Sequence, residues 1–167
     1  MLLGILLWMP VSVFADQHDD QQTWGESTPY HQFERFFIAG QPDLPALEQA
    51  RGSGVSIVIN LRGPAESDWD EENAVESIGL EYHQVAVNGA ASPLAASPFD
   101  AISAIVDANP DARILLHCAS GNRAAAWLAV YLAEVEGLDT DEAIKTAREN
   151  GLTNAGLEAK VKTLLER

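Results

Sequence analysis

The sequence predicts an α/β fold, with a mostly parallel sheet of about four strands flanked by helices. Short apolar, β-rich runs alternate with helical segments along most of the 167 residues. VSIVINL (55–61) is almost continuously apolar, as a strand buried on both faces must be. ARILLH (112–117) passes through a short turn directly into a strongly apolar helical stretch. Alternation of this kind implies parallel strands with helices on both faces.

The chain opens with an apolar run, Leu2 to Ala15, broken only by Ser12, and turns polar at Asp16. The run falls short of the roughly 20 residues that span a bilayer. Val13-Phe14-Ala15 fits a signal-peptidase site, so residues 1–15 are expected to be a signal peptide and the mature protein periplasmic or secreted. The usual basic residues before the apolar core are missing, since Arg35 is the first Lys or Arg. Residues 16–34 read as a polar, irregular lead-in, and the globular domain is expected over 35–167.

Within that domain FFIAG (36–40) reads as a strand, and Pro42 to Arg51 as a helix with Leu44, Leu47 and Ala50 on one face and Gly52 past its end. After the 55–61 strand, a helix is expected from Trp69 to Ile78 and a strand over 80–87. Asn88 to Ala96 is loop, rich in Gly, Ala, Ser and Pro. Pro98 to Ala108 reads as helix, closed by Asn109-Pro110, and a strand over 112–117 precedes the helix from Arg123 to Glu136. Asp139 to Glu142 is a capping-box pattern opening a helix to Asn150, and Asn154 to Leu165 is the last helix. Trp127 reads as core.

Charge and motifs narrow the function classes. There are 25 acidic residues against 10 basic ones, a net charge of −15. Such a surface repels nucleic acid and anionic lipid over a Debye length of about 8–10 Å, so neither nucleic acid nor, after cleavage, a membrane is an expected partner. CxxC, HExxH, EF-hand, GxGxxG and Walker patterns are absent, and no metal or cofactor is expected. Cys118 is the single cysteine, which excludes an intramolecular disulfide. A lone thiol in an oxidising compartment needs either burial or a chemical role.

HCASGNR (117–123) supplies the role. The strand–turn–helix context puts Cys118 at the carboxyl end of a strand, where open α/β sheets bind ligands. Backbone N–H groups of Ala119, Ser120, Gly121 and Asn122, in the turn and first helical residues, lack helical partners and are expected to converge on an anion. The same amides and the helix dipole favour a thiolate. Gly121 permits the tight turn. Arg123 can offer a planar fork to two oxygens of the bound anion. Ser120 can donate to the thiolate, though serine also suits any helix entry. His117 can orient the loop, and it also reads as an ordinary core histidine.

From Phe36 to Leu165 the chain resembles the beta-lactamase-hydrolase-like family of phosphatase-like domains. This is a branch of the dual-specificity and protein tyrosine phosphatase superfamily in which some members are labelled sulfurtransferases. The resemblance is carried by IAGQP (38–42), VINLRGPAE (58–66), GLEYHQVAV (79–87), HCASGNRA (117–124) and ARENGLT (147–153), in that order. It implies a PTP-like α/β fold, Cys118 as nucleophile, Arg123 as oxyanion binder and Arg62 near the mouth of the site. Arg62 also reads as a salt-bridge partner of Glu66.

The sequence departs from that pattern twice. Protein tyrosine phosphatases ordinarily place five residues between Cys and Arg, and here there are four, the length of rhodanese-type sulfurtransferase loops. A phosphatase also needs a general acid for the leaving oxygen. Dual-specificity relatives carry an aspartate on the loop after the strand matching 80–87, where this chain has Asn88. Glu66, Asp68 and His83 are the nearby alternatives, His83 reading more simply as structural. The expected function is therefore a cysteine-dependent phosphatase acting on phosphate monoesters through a phosphocysteine. The alternatives are sulfur transfer through a Cys118 persulfide and an idle anion-binding module. A small phosphorylated or sulfur-containing substrate, or a phosphoprotein, is the expected partner.

Overall fold

Apolar runs account for three of the parallel strands of the sheet. The computed structural model describes residues 22–25, 28–67 and 69–167; the expected signal peptide, the start of the lead-in and Asp68 lie outside them. The strands are β1 (Gln22–Trp24), β2 (Thr28–Phe33), β3 (Phe36–Ala39), β4 (Val55–Asn60), β5 (Glu81–Gln84) and β6 (Arg113–His117). The helices are α1 (Leu44–Gly52), α2 (Glu71–Ser77), α3 (Ser97–Ala108), α4 (Asn122–Glu134), α5 (Thr140–Glu149) and α6 (Ala155–Leu165).

The sheet order is β1-β2-β3-β6-β4-β5. The four expected strands form its parallel part, with β6 between β3 and β4 and β5 beyond β4. β1 and β2 add an antiparallel ribbon at the β3 edge, making six strands rather than four. The expectation of an irregular lead-in over 16–34 is corrected here. Its strand pattern is masked by polar residues, because β2 needs only one apolar face: Trp24 and Tyr30 stack with ring centroids 3.9 Å apart and pack beside Phe37.

β3 shows how the core is divided. All four of its residues are buried, and alternate side chains leave opposite faces. Phe36 and Ile38 join Ile57, Ile59, Ile114 and Leu116 under α3, α4, α5 and α6. Phe37 and Ala39 join Val58 and Leu115 under α1 and α2. α4 is buried continuously from Ala124 to Leu132, with Trp127 edge-on to Phe36 at 5.2 Å. That burial fixes the start of α4 against the end of β6, and so fixes the turn between them. Among the described residues no helix is long and apolar enough to cross a membrane.

Candidate active site

The turn after β6 is shaped by its neighbour β3. Cys118 N–H donates to Ala39 O at 3.3 Å, and Gln41 N–H donates to Ala119 O at 3.3 Å, so the chain continues beside β3 before it bends. Gly121 makes the bend. Its φ is +84°, and a Cβ there would stand 3.4 Å from both the carbonyl carbon and oxygen of Ala39. Among the described residues the amides of Ala119, Ser120, Asn122 and Arg123 have no protein acceptor. They lie at the head of the 13-residue α4, a position whose dipole favours an anion. Cys118 sits within this turn, free and buried, and lines the floor of a cavity of about 860 Å³.

Arg123 is held in that cavity by several acceptors. Nη1 donates to Leu61 O at 3.2 Å, Val87 O at 3.0 Å and Glu66 Oε1 at 2.9 Å, while Nη2 donates to Glu66 Oε2 at 2.7 Å. A guanidinium has five N–H donors. Nη1 spends both of its own on these acceptors and Nη2 spends one, leaving the Nε–H and one Nη2–H along the side edge. That edge is a two-pronged donor for an oxyanion. Glu66, and after it the nearby Cys118 sulfur, hold the Arg123 guanidinium above its ordinary pKa range, against the opposing effect of burial. In return the hydrogen bonds from Arg123 and from Gly63 N–H bring the Glu66 carboxyl from 4.5 down to about 2. Glu66 is therefore an ionised clamp on Arg123 and cannot hold a proton for a leaving group.

The other sequence candidates separate into two places. Asn88, Ser120 and Asn122 line the same cavity as Cys118 and Arg123. Asn88 Oδ1 accepts from Ala90 N–H at 3.1 Å, a turn-forming role. Asn122 Oδ1 accepts from the amides of Thr153 and Asn154 at 2.8 and 2.7 Å, tying the cradle to the α5–α6 junction. His117 lies elsewhere. Its side chain is fully buried, and Nε2 stands 2.9 Å from Glu71 Oε1 without hydrogen-bonding alignment, so neither ring nitrogen has a hydrogen-bond partner. Asn60 Nδ2 donates to Glu71 Oε2 at 2.7 Å and Gln41 Nε2 to Glu71 Oε1 at 3.1 Å, completing a buried polar cluster.

One expectation, an Arg62–Glu66 salt bridge, is corrected. Arg62 neither lines the cavity nor pairs with Glu66: its Nη1 donates to Gln41 Oε1, on the side of the Glu71 cluster. The four-residue spacing to Glu66 has no helical meaning here, because Pro64–Glu66 is a single 3-10 turn that sends Glu66 toward Arg123 instead. His83 is 2.7 Å from Glu81 on β5 and does not line the cavity.

The sequence reading missed Glu71 and Lys160. Glu71 lies in the acidic stretch Asp68–Glu72, where nothing local distinguishes it from its neighbours, yet it is only 3% exposed. Lys160, from α6, lines the cavity across some forty residues of sequence from the cradle, and no local pattern marks it. Among the described residues no group of three His, Cys, Asp or Glu side chains is arranged to hold a metal ion.

No protein-family model matches the chain, and no curated protein matches it. Solved structures do. A phosphatase candidate of the DUF442 group from Shewanella putrefaciens CN-32 superposes with a TM-score of 0.64 at 19% identity, over 82% of this chain and 90% of its own. Tk-PTP in its active form gives 0.68 at 18% identity, over 81% and 94%. TpbA from P. aeruginosa gives 0.66 at 13% identity, over 82% and 83%. The chain thus has the α/β fold of the protein tyrosine phosphatase-like proteins, a mixed, mostly parallel six-stranded sheet flanked by helices.

Proposed function

We propose that the protein is a cysteine-dependent phosphatase that hydrolyses phosphate monoesters through a phosphocysteine on Cys118. The observation that carries this reading is the side edge of Arg123, left free by the Glu66 clamp in the cavity whose floor is Cys118. In the first step the Cys118 thiolate attacks phosphorus, the S–P bond forms and the P–O ester bond breaks. In the second, water attacks phosphorus, the S–P bond breaks and orthophosphate leaves with the thiolate restored. The cradle amides and Arg123 meet the equatorial oxygens, whose charge each step redistributes.

The leaving oxygen is the weak point. Glu66 is ionised to about pH 2 and Asn88 has no proton to give, so the described cavity wall offers no carboxylic acid. Leaving groups that depart unprotonated therefore suit the site, and aryl phosphates should far outpace alkyl phosphates. The neighbours named above are phosphatase-like, so sulfur transfer is not favoured. Membership of the beta-lactamase-hydrolase-like branch is part of the same proposal and rests on the five sequence segments that resemble it.

The test is turnover of p-nitrophenyl phosphate together with calorimetric binding of orthophosphate. Cys118→Ser should abolish turnover, since an alcohol is scarcely ionised at neutral pH, while orthophosphate still binds. Arg123→Ala should lower kcat/KM by about two to three orders of magnitude and weaken orthophosphate binding as well. Arg123→Lys should recover only part, because a point charge cannot reproduce the fork. Wild-type turnover in Cys118→Ser would refute the nucleophile, and unchanged orthophosphate binding in Arg123→Ala would refute the cradle.

A further inference from the structure

We propose that Lys160 is a second anion-recognition point in the active-site cavity, so that the preferred substrate is a phosphomonoester carrying another negative group, carboxylate or phosphate, on its organic part. The inference rests on the phosphatase reading of the same cavity and extends it to a substrate class.

Charge singles out Lys160 within the cavity. Among the described residues, and apart from the Cys118 thiolate of the proposed mechanism, Glu66, Arg123 and Lys160 are the charged side chains lining the cavity, and Glu66 and Arg123 pair with one another. Lys160 remains. Its Nζ donates to Gly89 O and to Ala90 O, each at 3.0 Å. An ammonium has three donors, so one N–H is left, and two neutral carbonyls leave its full positive charge uncompensated. The other lysines behave differently: Lys145 stands 3.5 Å from Glu149 and Lys162 stands 2.7 Å from Asp141. In a chain with 25 acidic residues against 10 basic ones, a lysine without a carboxylate partner among the described residues is a specific placement rather than a surface average.

Position and shape agree with that assignment. A Cβ on Gly89 would lie 3.4 and 3.5 Å from Arg123 Cγ and Cδ, so a single residue of the 88–90 loop separates the Lys160 ammonium from the Arg123 stem. Pro64, Val87 and Leu157 add apolar wall to the same cavity, which at about 860 Å³ has room well beyond one phosphoryl group. A second cavity of about 320 Å³ shares Lys160 and is lined also by Arg167 and Leu94, so the positive wall continues away from Cys118. A carbon skeleton lying on the apolar wall, with phosphate in the cradle and a second anion at Lys160, fits these features together.

The experiment measures binding by calorimetry to the full chain carrying Cys118→Ser, which keeps the cradle but cannot turn over. The ligands are phenyl phosphate, 3-carboxyphenyl phosphate and 1,3-phenylene bisphosphate, with and without Lys160→Met. At least one doubly anionic ligand should bind about tenfold more tightly than phenyl phosphate, as a charge-assisted contact implies, and which one does so identifies the second group. Lys160→Met should erase the preference and Lys160→Arg should retain it; Lys160→Gln replaces the Met variant if that fails to fold. Equal affinity for all three ligands, or a preference that survives Lys160→Met, overturns the inference. Equal weakening of all three by Lys160→Met also overturns it, since Lys160 would then serve only to hold the 89–90 carbonyls. Phosphate release by the wild-type protein is scored separately. Preference without release sinks the phosphatase reading and leaves the Lys160 assignment standing, whereas release without preference does the reverse.

Discussion

The Arg123 guanidinium is held end-on by a resident carboxylate, and Glu66 thereby decides which donors are left for the proposed oxyanion. Glu66→Gln removes a charge yet keeps one acceptor, so it should loosen the fork without displacing it. A loss of about tenfold in kcat/KM, smaller than that of Arg123→Ala, is expected for a weakened charge-assisted contact. Stability has a definite pH signature. Folding lowers the Glu66 pKa from 4.5 to about 2, so its stabilisation is complete above about pH 4.5 and disappears as pH falls through about 2. Solvent screens the pair, because the Glu66 side chain is 43% exposed, and the effect is therefore modest. Thermal melts of wild type and Glu66→Gln should differ at neutral pH and converge between pH 4.5 and 2. A gap that stays constant through that window would mean that Arg123 does not hold the carboxylate.

At the scale of elements, the cradle depends on how β3 crowds the turn from β6 into α4. Gly121 occupies left-handed backbone with φ +84° against Ala39. Gly121→Ala should cost about 1–2 kcal/mol from the backbone conformation alone. Relief of that strain by a change of φ would move the neighbouring amides, so orthophosphate binding should weaken along with stability. Chemical denaturation and calorimetry on the variant would check both. Wild-type values for both would show that the loop tolerates a side chain and is not shaped by this contact. α4 then anchors the turn from the other side: Trp127 is fully buried and its Nε1 donates to Ser103 Oγ at 3.2 Å.

For the whole molecule, the antiparallel ribbon β1–β2 is what distinguishes this sheet from the four-stranded one its central sequence implies. Trp24 is 4% exposed and stacks on Tyr30 beside Phe37, so the ribbon closes the α1–α2 face of the core. Trp24→Ala should destabilise the protein by about 3 kcal/mol, a typical cost for a large buried aromatic. Trp24 itself packs toward α1 and α2, whereas the cavity holding Cys118 and Arg123 is lined by the segments after β4, β5 and β6 and by α4 and α6, so orthophosphate binding by the folded variant should be retained. Denaturant titration beside calorimetry separates the two effects, and a variant as stable as wild type would show the ribbon to be peripheral. The surrounding surface carries the net charge of −15, so Arg123 and Lys160 work as local exceptions within an acidic envelope.

What local pattern can encode is legible in the chain's own residues. Apolar runs such as VSIVINL and RILLH specify strands buried on both faces, Asp139 caps α5, and HCASGNR holds the strand end, the Gly121 bend and the residues of the proposed cradle within seven consecutive positions. Those features are short-range, because strand period, caps and tight turns depend on neighbouring residues. Which charge meets which depends on packing between distant segments. Glu66 and Arg123, 57 residues apart, form the clamp that spacing to Arg62 could not reveal. Lys160 reaches the 89–90 carbonyls from α6, and Glu71 is buried although its neighbours in the acidic stretch are not marked apart from it in sequence. β1 and β2 belong to the same class, since polar residues become a strand only when an existing edge offers unpaired backbone groups and an aromatic face. Pairings across such distances follow from the packing of whole elements, and no window of the sequence contains both partners.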